Sequence, residues 1–283
     1  PARAAGDRTT MQYQQWTQIN GASHLIRTAR ESGITGCLKQ RQHTLEQLCE
    51  ALSLNRHTTL LLLDGLVAIG FVEQYQDDYA LARAGQLLSQ YDQDLGDRRW
   101  ETLGDRMKQV DSPKFGLAEY RSQLAATQWI HTAAAMQAAE ILDIGGDSSV
   151  SGPRILDLGC GSAVWSCAMA ESIELSDRLK TIESDPRQVD LGDATFDLVV
   201  LPQLLSSFSD DEAADLLSIA SSAVGGGGRV VAPDLYVGPG KTGLKETLAR
   251  LTVHLATPAG RVRDLPESQQ MFSTAGLTSI QFT

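Results

Sequence analysis

Residues 155–162 read Ile-Leu-Asp-Leu-Gly-Cys-Gly-Ser: a short apolar run, a carboxylate, then two glycines. Few folds accommodate that order. Arg154 to Leu158 has the pattern of a short buried strand, and the residues over about 162–172 that of a helix. A strand that turns through glycines into a helix is half of a parallel β-α-β unit. Glycine lets backbone approach a ligand closely. The first turn of the helix offers unpaired N–H groups, and the carboxyl ends of strands in open α/β sheets are where ligands bind. The spacing D-x-G-x-G is neither the dinucleotide pattern G-x-G-x-x-G nor a phosphate loop, which would end in Lys-Ser or Lys-Thr.

The downstream chain continues the alternation. Phe196 to Leu201 reads as a second buried strand, Asp210 to Ala223 as a helix, and Arg229 to Pro233 as a third strand after a glycine turn at 225–228. Strands alternating with helices imply a parallel sheet with crossovers. Upstream the pattern changes. Residues 20–32 place Ala22, Leu25, Ile26 and Ala29 at helical spacing. Thr44 is a candidate N-cap for a helix carrying Leu45, Leu48, Ala51 and Leu52. A break at Ser53-Leu54-Asn55 leads to a helix over about 56–68, then a hairpin from Phe71 to Leu81 with its turn at Gln76-Asp77-Asp78. Helix, turn, helix, hairpin is the winged-helix order. Residues 117–142 contain neither Gly nor Pro and read as one helix, with Gly145-Gly146 and 148–152 as a linker. The expected domains are 1–98, a winged helix; 99–150, a helical linker; and 151–283, the α/β domain.

Composition narrows the function. The net charge is −11, and it is uneven: residues 1–110 hold 12 basic and 13 acidic residues, residues 111–283 hold 12 and 22. An acidic chain without a basic run is a poor partner for nucleic acid. The helix at 56–68 has one Arg and four consecutive leucines, little with which to read bases. No apolar run approaches the roughly 20 residues that span a bilayer. Cys37, Cys49, Cys160 and Cys167 form no CxxC pair or zinc spacing, so we expect no metal and a reducing, cytoplasmic compartment.

The stretch ILDLGCGSAVWS resembles the first motif of class I methyltransferases dependent on S-adenosylmethionine (SAM). The order FDLVVLPQLLSSFSDDEAADLL, GGGGRVVAPDL, ATPAGRVRDLPESQQMFSTAGL and the N-terminal winged helix together resemble the small-molecule O-methyltransferases of secondary metabolism. The resemblance covers most of residues 15–283. It implies a Rossmann-like α/β domain, SAM as cofactor, a small aromatic or polyketide-like acceptor, and a homodimer formed through the N-terminal domain. It places Asp157, Gly159, Cys160 and Gly161 on the methionine side of the cofactor and Asp185 near the adenine.

Two departures from that family are legible. Its general-base His, in L-H-D-W-S-D-E, is replaced by Ser206 in Leu205-Ser206-Ser207-Phe208-Ser209-Asp210-Asp211, and a supporting Glu by Val262. An unassisted serine hydroxyl is a poor base near neutral pH. His131 and His254 lie in stretches that line the acceptor pocket in that family, so they are the expected replacement bases, with Trp129 and Ser206 facing the acceptor. The second departure is length. A segment of roughly 25 residues is missing after Ala170 by the usual length of a β-α-β unit, taking with it the acid that binds the ribose. We expect that these residues exist in the protein and are omitted from the sequence as given, because losing a central strand exposes sheet edges. Were it a true deletion, Glu174 or Glu183 would have to substitute. Thr181 to Asp185 reads as the third strand. The rival readings are a SAM-binding scaffold reused for other chemistry and a winged-helix regulator that binds DNA.

Overall fold

The computed structural model describes the chain apart from residues 1, 93–94, 109–115, 145–152, 173–181, 183, 192–194 and 241–242. It divides into two compact units, Pro1–Leu95 and Gly96–Thr283.

In the first unit, α1 (Ala2–Glu31) and α2 (Ile34–Gln40) precede a short strand, β1 (His43–Thr44). Helices α3 (Leu45–Leu52) and α4 (Arg56–Ala68) follow, then the hairpin β2 (Val72–Tyr75) and β3 (Asp78–Leu81), and α5 (Arg83–Tyr91). Thr44 caps α3 in a reciprocal capping box with Gln47, and the Asn55 side chain caps α4 through the Thr58 N–H. Strand order is β1-β3-β2, all antiparallel. The core joins Ala29, Ile34, Leu48, Leu63, Leu66 and Leu81. Helix α1 begins far earlier than the apolar spacing at 20–32 indicates. Residues 8–21 of α1 are exposed, and burial begins only near Leu25.

The second unit opens with short helices α6 (Asp97–Glu101) and α7 (Leu103–Met107), then α8 (Leu117–Thr127) and α9 (Thr132–Ile141). The single helix expected over 117–142 is broken by a 3-10 turn at Gln128–His131. Next come β4 (Ile155–Asp157), α10 (Val164–Ser172), β5 (Phe196–Val200), α11 (Asp210–Ala223) and β6 (Val224–Val231). The chain ends with β7 (Tyr236–Val237), α12 (Leu244–Ala256), β8 (Arg263–Asp264) and α13 (Leu265–Thr274).

Strands β4, β5 and β6 form a parallel sheet in that order, and β7 pairs with β8 in a second parallel pair. Successive side chains of β5 feed opposite layers, as a strand buried on both faces requires. Leu198 and Val200 pack with Ala135, Ala139, Trp165 and Met169 of α9 and α10. Val199 and the following Leu201 pack with Leu216, Leu217 and Ala220 of α11 and Phe272 of α13. The sheet is therefore sandwiched between helices, the α/β class expected.

Two local expectations are corrected. The glycines at 225–228 lie inside β6. The ladder steps from Phe196–Val224 to Leu198–Arg229, and the intervening residues bulge out of register. Ile182, Ser184 and Asp185 form no strand, while Thr181 and Glu183 lie outside the described residues, as do Glu174 and the 148–152 linker. Among the described residues β4 pairs only with β5, and its three residues are half-buried where β5 is closed over. An uncovered side of β4 accords with the central strand read as missing from the sequence after Ala170. Among the described residues no helix is long and apolar enough to cross a membrane.

Candidate functional site

The site assembles at the carboxyl ends of β4, β5 and β6. After β4 the chain turns through Gly159 (φ +76°), Gly161 (φ +57°) and Ala163 (φ +59°) into α10. A Cβ on Gly159 would stand 2.8 Å from Leu204 Cδ1 and 3.2 Å from Arg121 Nη2, and one on Gly161 would stand 2.9 Å from Gln128 Oε1. Both positions demand glycine by conformation and by space.

Helix α8 and the 3-10 turn clip this loop in place. Arg121 Nη2 donates to the Gly159 carbonyl (2.8 Å), while Nη1 donates to the Gln203 carbonyl (2.8 Å) and reaches Ser207 Oγ at 3.4 Å. One guanidinium thus ties the glycine loop to the turn after β5. It is half-buried, forms no ion pair among the described residues, and is held below its ordinary pKa by desolvation. Gln128 is 3% exposed, and its Oε1 accepts from both the N–H and the hydroxyl of Ser162 (3.0 Å each). The break in the helix is what lets Gln128 face the loop. Three residues on, His131 Nε2 lies 3.0 Å from Gln203 Nε2. With the amide donating, the ring proton sits on Nδ1. Burial holds the imidazole below its ordinary pKa, so it is neutral at pH 7.

Asp157 ends β4. Its Oδ2 accepts from the Ser166 N–H (3.2 Å) and hydroxyl (2.7 Å), and its Oδ1 is buried without a partner. Burial raises its pKa to about 6, against the pull of the two Ser166 bonds and of Arg121. An orphaned buried oxygen costs free energy unless something meets it. That oxygen, the glycine cradle and the unneutralised Arg121 fit the two charged ends of an α-amino acid. These residues can therefore hold the amino-acid end of the cofactor implied by the sequence resemblance. Cys160 lies in the loop itself, half-buried, with its thiol pushed up by burial.

The other anticipated residues are distributed unevenly. Asp185 gives both carboxylate oxygens to Arg187, at 2.7–3.1 Å, and Arg187 also donates to Glu212 at 2.5 Å and lies over the Phe208 ring. Arg187 therefore holds the Asp185 carboxyl below its usual range. Trp129 is exposed (37%) on the 3-10 turn. His254 is exposed on α12, and its carbonyl accepts from Arg106 Nη1 (2.8 Å). Ser206 is buried on the turn after β5. Its hydroxyl donates to Asp234 Oδ1 (2.6 Å) and its N–H to Oδ2 (2.9 Å).

Sequence reasoning missed Arg121, Gln128, Gln203 and Asp234. Asp234 carried a readable signal, since it follows the third predicted strand as Asp157 ends the first. Arg121 and Gln128 carried none, because a helix read as continuous gives no reason for one face to turn toward a loop.

A family model for the O-methyltransferase domain matches residues 79–278, more than half of the chain. Among curated proteins, none matches. Several solved structures share the fold. Mitomycin 7-O-methyltransferase is 17% identical with a TM-score of 0.71, over 97% of this chain and 93% of that one. Human N-acetylserotonin methyltransferase, solved with SAM, is 15% identical with a TM-score of 0.70, over 97% and 94%. An O-methyltransferase family protein from Burkholderia thailandensis is 14% identical with a TM-score of 0.68, over 97% and 94%. At such identities the likeness establishes the fold.

Proposed function

This chain belongs to the family of O-methyltransferase domains, and from that premise we propose that it transfers the methyl group of SAM to a hydroxyl of a small, apolar, aromatic or polyketide-like molecule. The observation that carries the reading is the glycine cradle flanked by an orphaned carboxylate oxygen on Asp157 and the guanidinium of Arg121, which bonds only neutral groups among the described residues. Asp157 takes the ammonium of the cofactor and Arg121 its carboxylate, while Gly159 and Gly161 leave room for the backbone to pass close beneath. When bound, SAM supplies an electrophilic methyl group on a sulfonium. The protein contributes alignment and exclusion of water, which suffice for a large part of such a displacement. His131, pinned by Gln203, orients the wall that α8 and α9 present to the acceptor. Incubation with SAM and a panel of phenols and hydroxyquinones, followed by mass spectrometry, tests the reading. Methylated product should form in step with S-adenosylhomocysteine (SAH). Chemical change of an acceptor without SAH would instead favour a reused scaffold.

Asp157 makes cofactor affinity depend on pH. The ammonium pairs with the ionised carboxylate, whose pKa is about 6. Below that value each pH unit costs binding up to about tenfold, because a proton must first be released. Calorimetric titration with SAH should give a dissociation constant about tenfold weaker at pH 5 than at pH 7, and Asp157→Asn should bind weakly with no such slope.

The N-terminal unit serves as a homodimerisation module. Met11, Tyr13, Trp16 and Ile19 of α1 are each more than half exposed. A helical arm with no core of its own is marginal in water, and a second copy supplies the missing cover. Replacing Trp16 and Ile19 by Glu should convert a dimer to a monomer in light scattering. A wild-type monomer at micromolar concentration would contradict the assignment. Four free cysteines fit a reducing, cytoplasmic setting.

A further inference from the structure

The Ser206 hydroxyl is not unassisted. Both oxygens of Asp234 close on Ser206, one on its hydroxyl (2.6 Å) and one on its N–H (2.9 Å), and the Leu235 N–H adds a third bond to Oδ1 (2.8 Å). The pair joins the turn after β5 to the chain leaving β6, at the carboxyl edge where the glycine loop also lies. Ser207, the next residue, has its hydroxyl 3.4 Å from the Arg121 nitrogen that also bonds the Gln203 carbonyl.

The groups facing Asp234 come from several elements: Tyr120 and Arg121 of α8, Tyr236 of β7 and Arg263 of β8. Neither arginine neutralises it by contact. Arg121 is bound to carbonyls, and Arg263 to Asp210 and the carbonyls of Leu205 and Phe208. Burial drives the Asp234 carboxyl above its ordinary range, outweighing the three donors. Burial first, and the Asp234 charge second, raise Tyr120 to about 12 and raise Tyr236 as well. A void of about 10 Å³, room for roughly one water, borders Ser206, Asp234, Tyr236 and Arg263. A carboxylate desolvated without a contacting cation is costly as pure scaffolding, and it is the environment that makes a carboxylate basic.

We propose that Ser206 and Asp234 form the proton-accepting pair of the methyl transfer: Ser206 Oγ takes the proton of the acceptor hydroxyl as its own proton passes to Asp234 Oδ1. The inference rests on the methyltransferase reading of the same site. The balance is complete. The acceptor oxygen forms its bond to the methyl carbon as the carbon–sulfur bond breaks, and the electron pair of that bond stays on sulfur. The sulfonium ends as a neutral thioether, and Asp234 ends as a neutral acid. Ser206 is the catalytic residue, and Asp234 acts through it as a positioning residue and proton store.

The test uses the full chain as Ser206→Ala, Ser206→Thr and Asp234→Asn variants. Carboxyl-¹³C NMR of aspartate-labelled protein follows Asp234, assigned by the signal that Asp234→Asn lacks. Should Asp234→Asn not fold, the signal moved by Ser206→Ala assigns it. The Asp234 titration should move upward in Ser206→Ala and return in Ser206→Thr. An aspartate spectrum that Ser206→Ala leaves unmoved overturns the proposal, whether or not any acceptor is turned over. Two acceptor probes then separate relay from scaffold: 4-nitrophenol, ionised in mild alkali, and phenol, neutral there. Ser206→Ala should lower kcat on phenol about 100-fold with KM little changed, and on 4-nitrophenol less than about threefold. Equal losses on both overturn the relay. SAH binding, measured in parallel, should be the same in wild type and Ser206→Ala. Absence of binding in wild type would sink the cofactor reading, whereas its loss only in the variant would mark Ser206 as structural.

Discussion

Arg121→Met should weaken SAH binding by about 30-fold or more, while 5′-methylthioadenosine, which lacks the amino acid, should lose less than about threefold. A charge-assisted hydrogen bond is worth roughly 1.5–3 kcal/mol, and each 1.4 kcal/mol is about tenfold in affinity. Arg121 is placed for such a bond because its present partners, the carbonyls of Gly159 and Gln203 and the Ser207 hydroxyl, are all neutral. The effect on folding is smaller. Two carbonyls lose a donor, at about 1–3 kcal/mol, but a desolvated cation is also removed, so the melting temperature falls by only a few degrees. Calorimetry with both ligands checks the prediction. Equal losses for both would mean that Arg121 only braces the loop.

Gly159→Ala carries the second large effect, on both stability and binding. Its φ of +76° strains any L side chain, at roughly 1–2 kcal/mol. The added Cβ also meets Leu204 Cδ1 at 2.8 Å, and Leu204 is fully buried and cannot withdraw freely. Overpacking of that kind costs about 1–3 kcal/mol. A total near 3 kcal/mol lowers the melting temperature by about 6–12 °C in a protein of this size. The same Cβ, 3.2 Å from Arg121 Nη2, displaces the guanidinium and should abolish measurable SAH binding. Gly226→Ala is the internal control, since nothing lies within 4 Å of its Cβ and its φ is ordinary. Thermal melts of the two variants should differ by most of the predicted shift. Similar melts would refute the packing argument.

Much of this architecture is legible in the sequence because local signals and tertiary needs agree. Thr44 and Asn55 start their helices as their side chains dictate, Asp210–Ala223 is helical from its Ser209 cap onward, and the run 196–200 is too apolar to sit anywhere but the sheet centre. The failures have physical causes as well. The glycine run at 225–228 has turn composition, yet Arg229, Val230 and Val231 hold it to β5 through the ladder, and the surplus residues leave as a bulge. The break at Gln128–His131 goes with the bond between Gln128 and Ser162, a contact 34 residues away in sequence. Arg121 gains its meaning only when α8 meets the turns after β4 and β5, a convergence that no local window contains. At the same time Asp157, Gly159 and Gly161 were readable, because strand, carboxylate and glycine turn are contiguous.

A working cofactor site at the glycine cradle, Asp157 and Arg121 has a direct consequence in solution. Isothermal titration of the purified protein with SAH at pH 7 tests it most directly. Binding in the micromolar range is expected, one molecule per chain, displaced by SAM. A folded protein that takes up neither SAH nor SAM would contradict it.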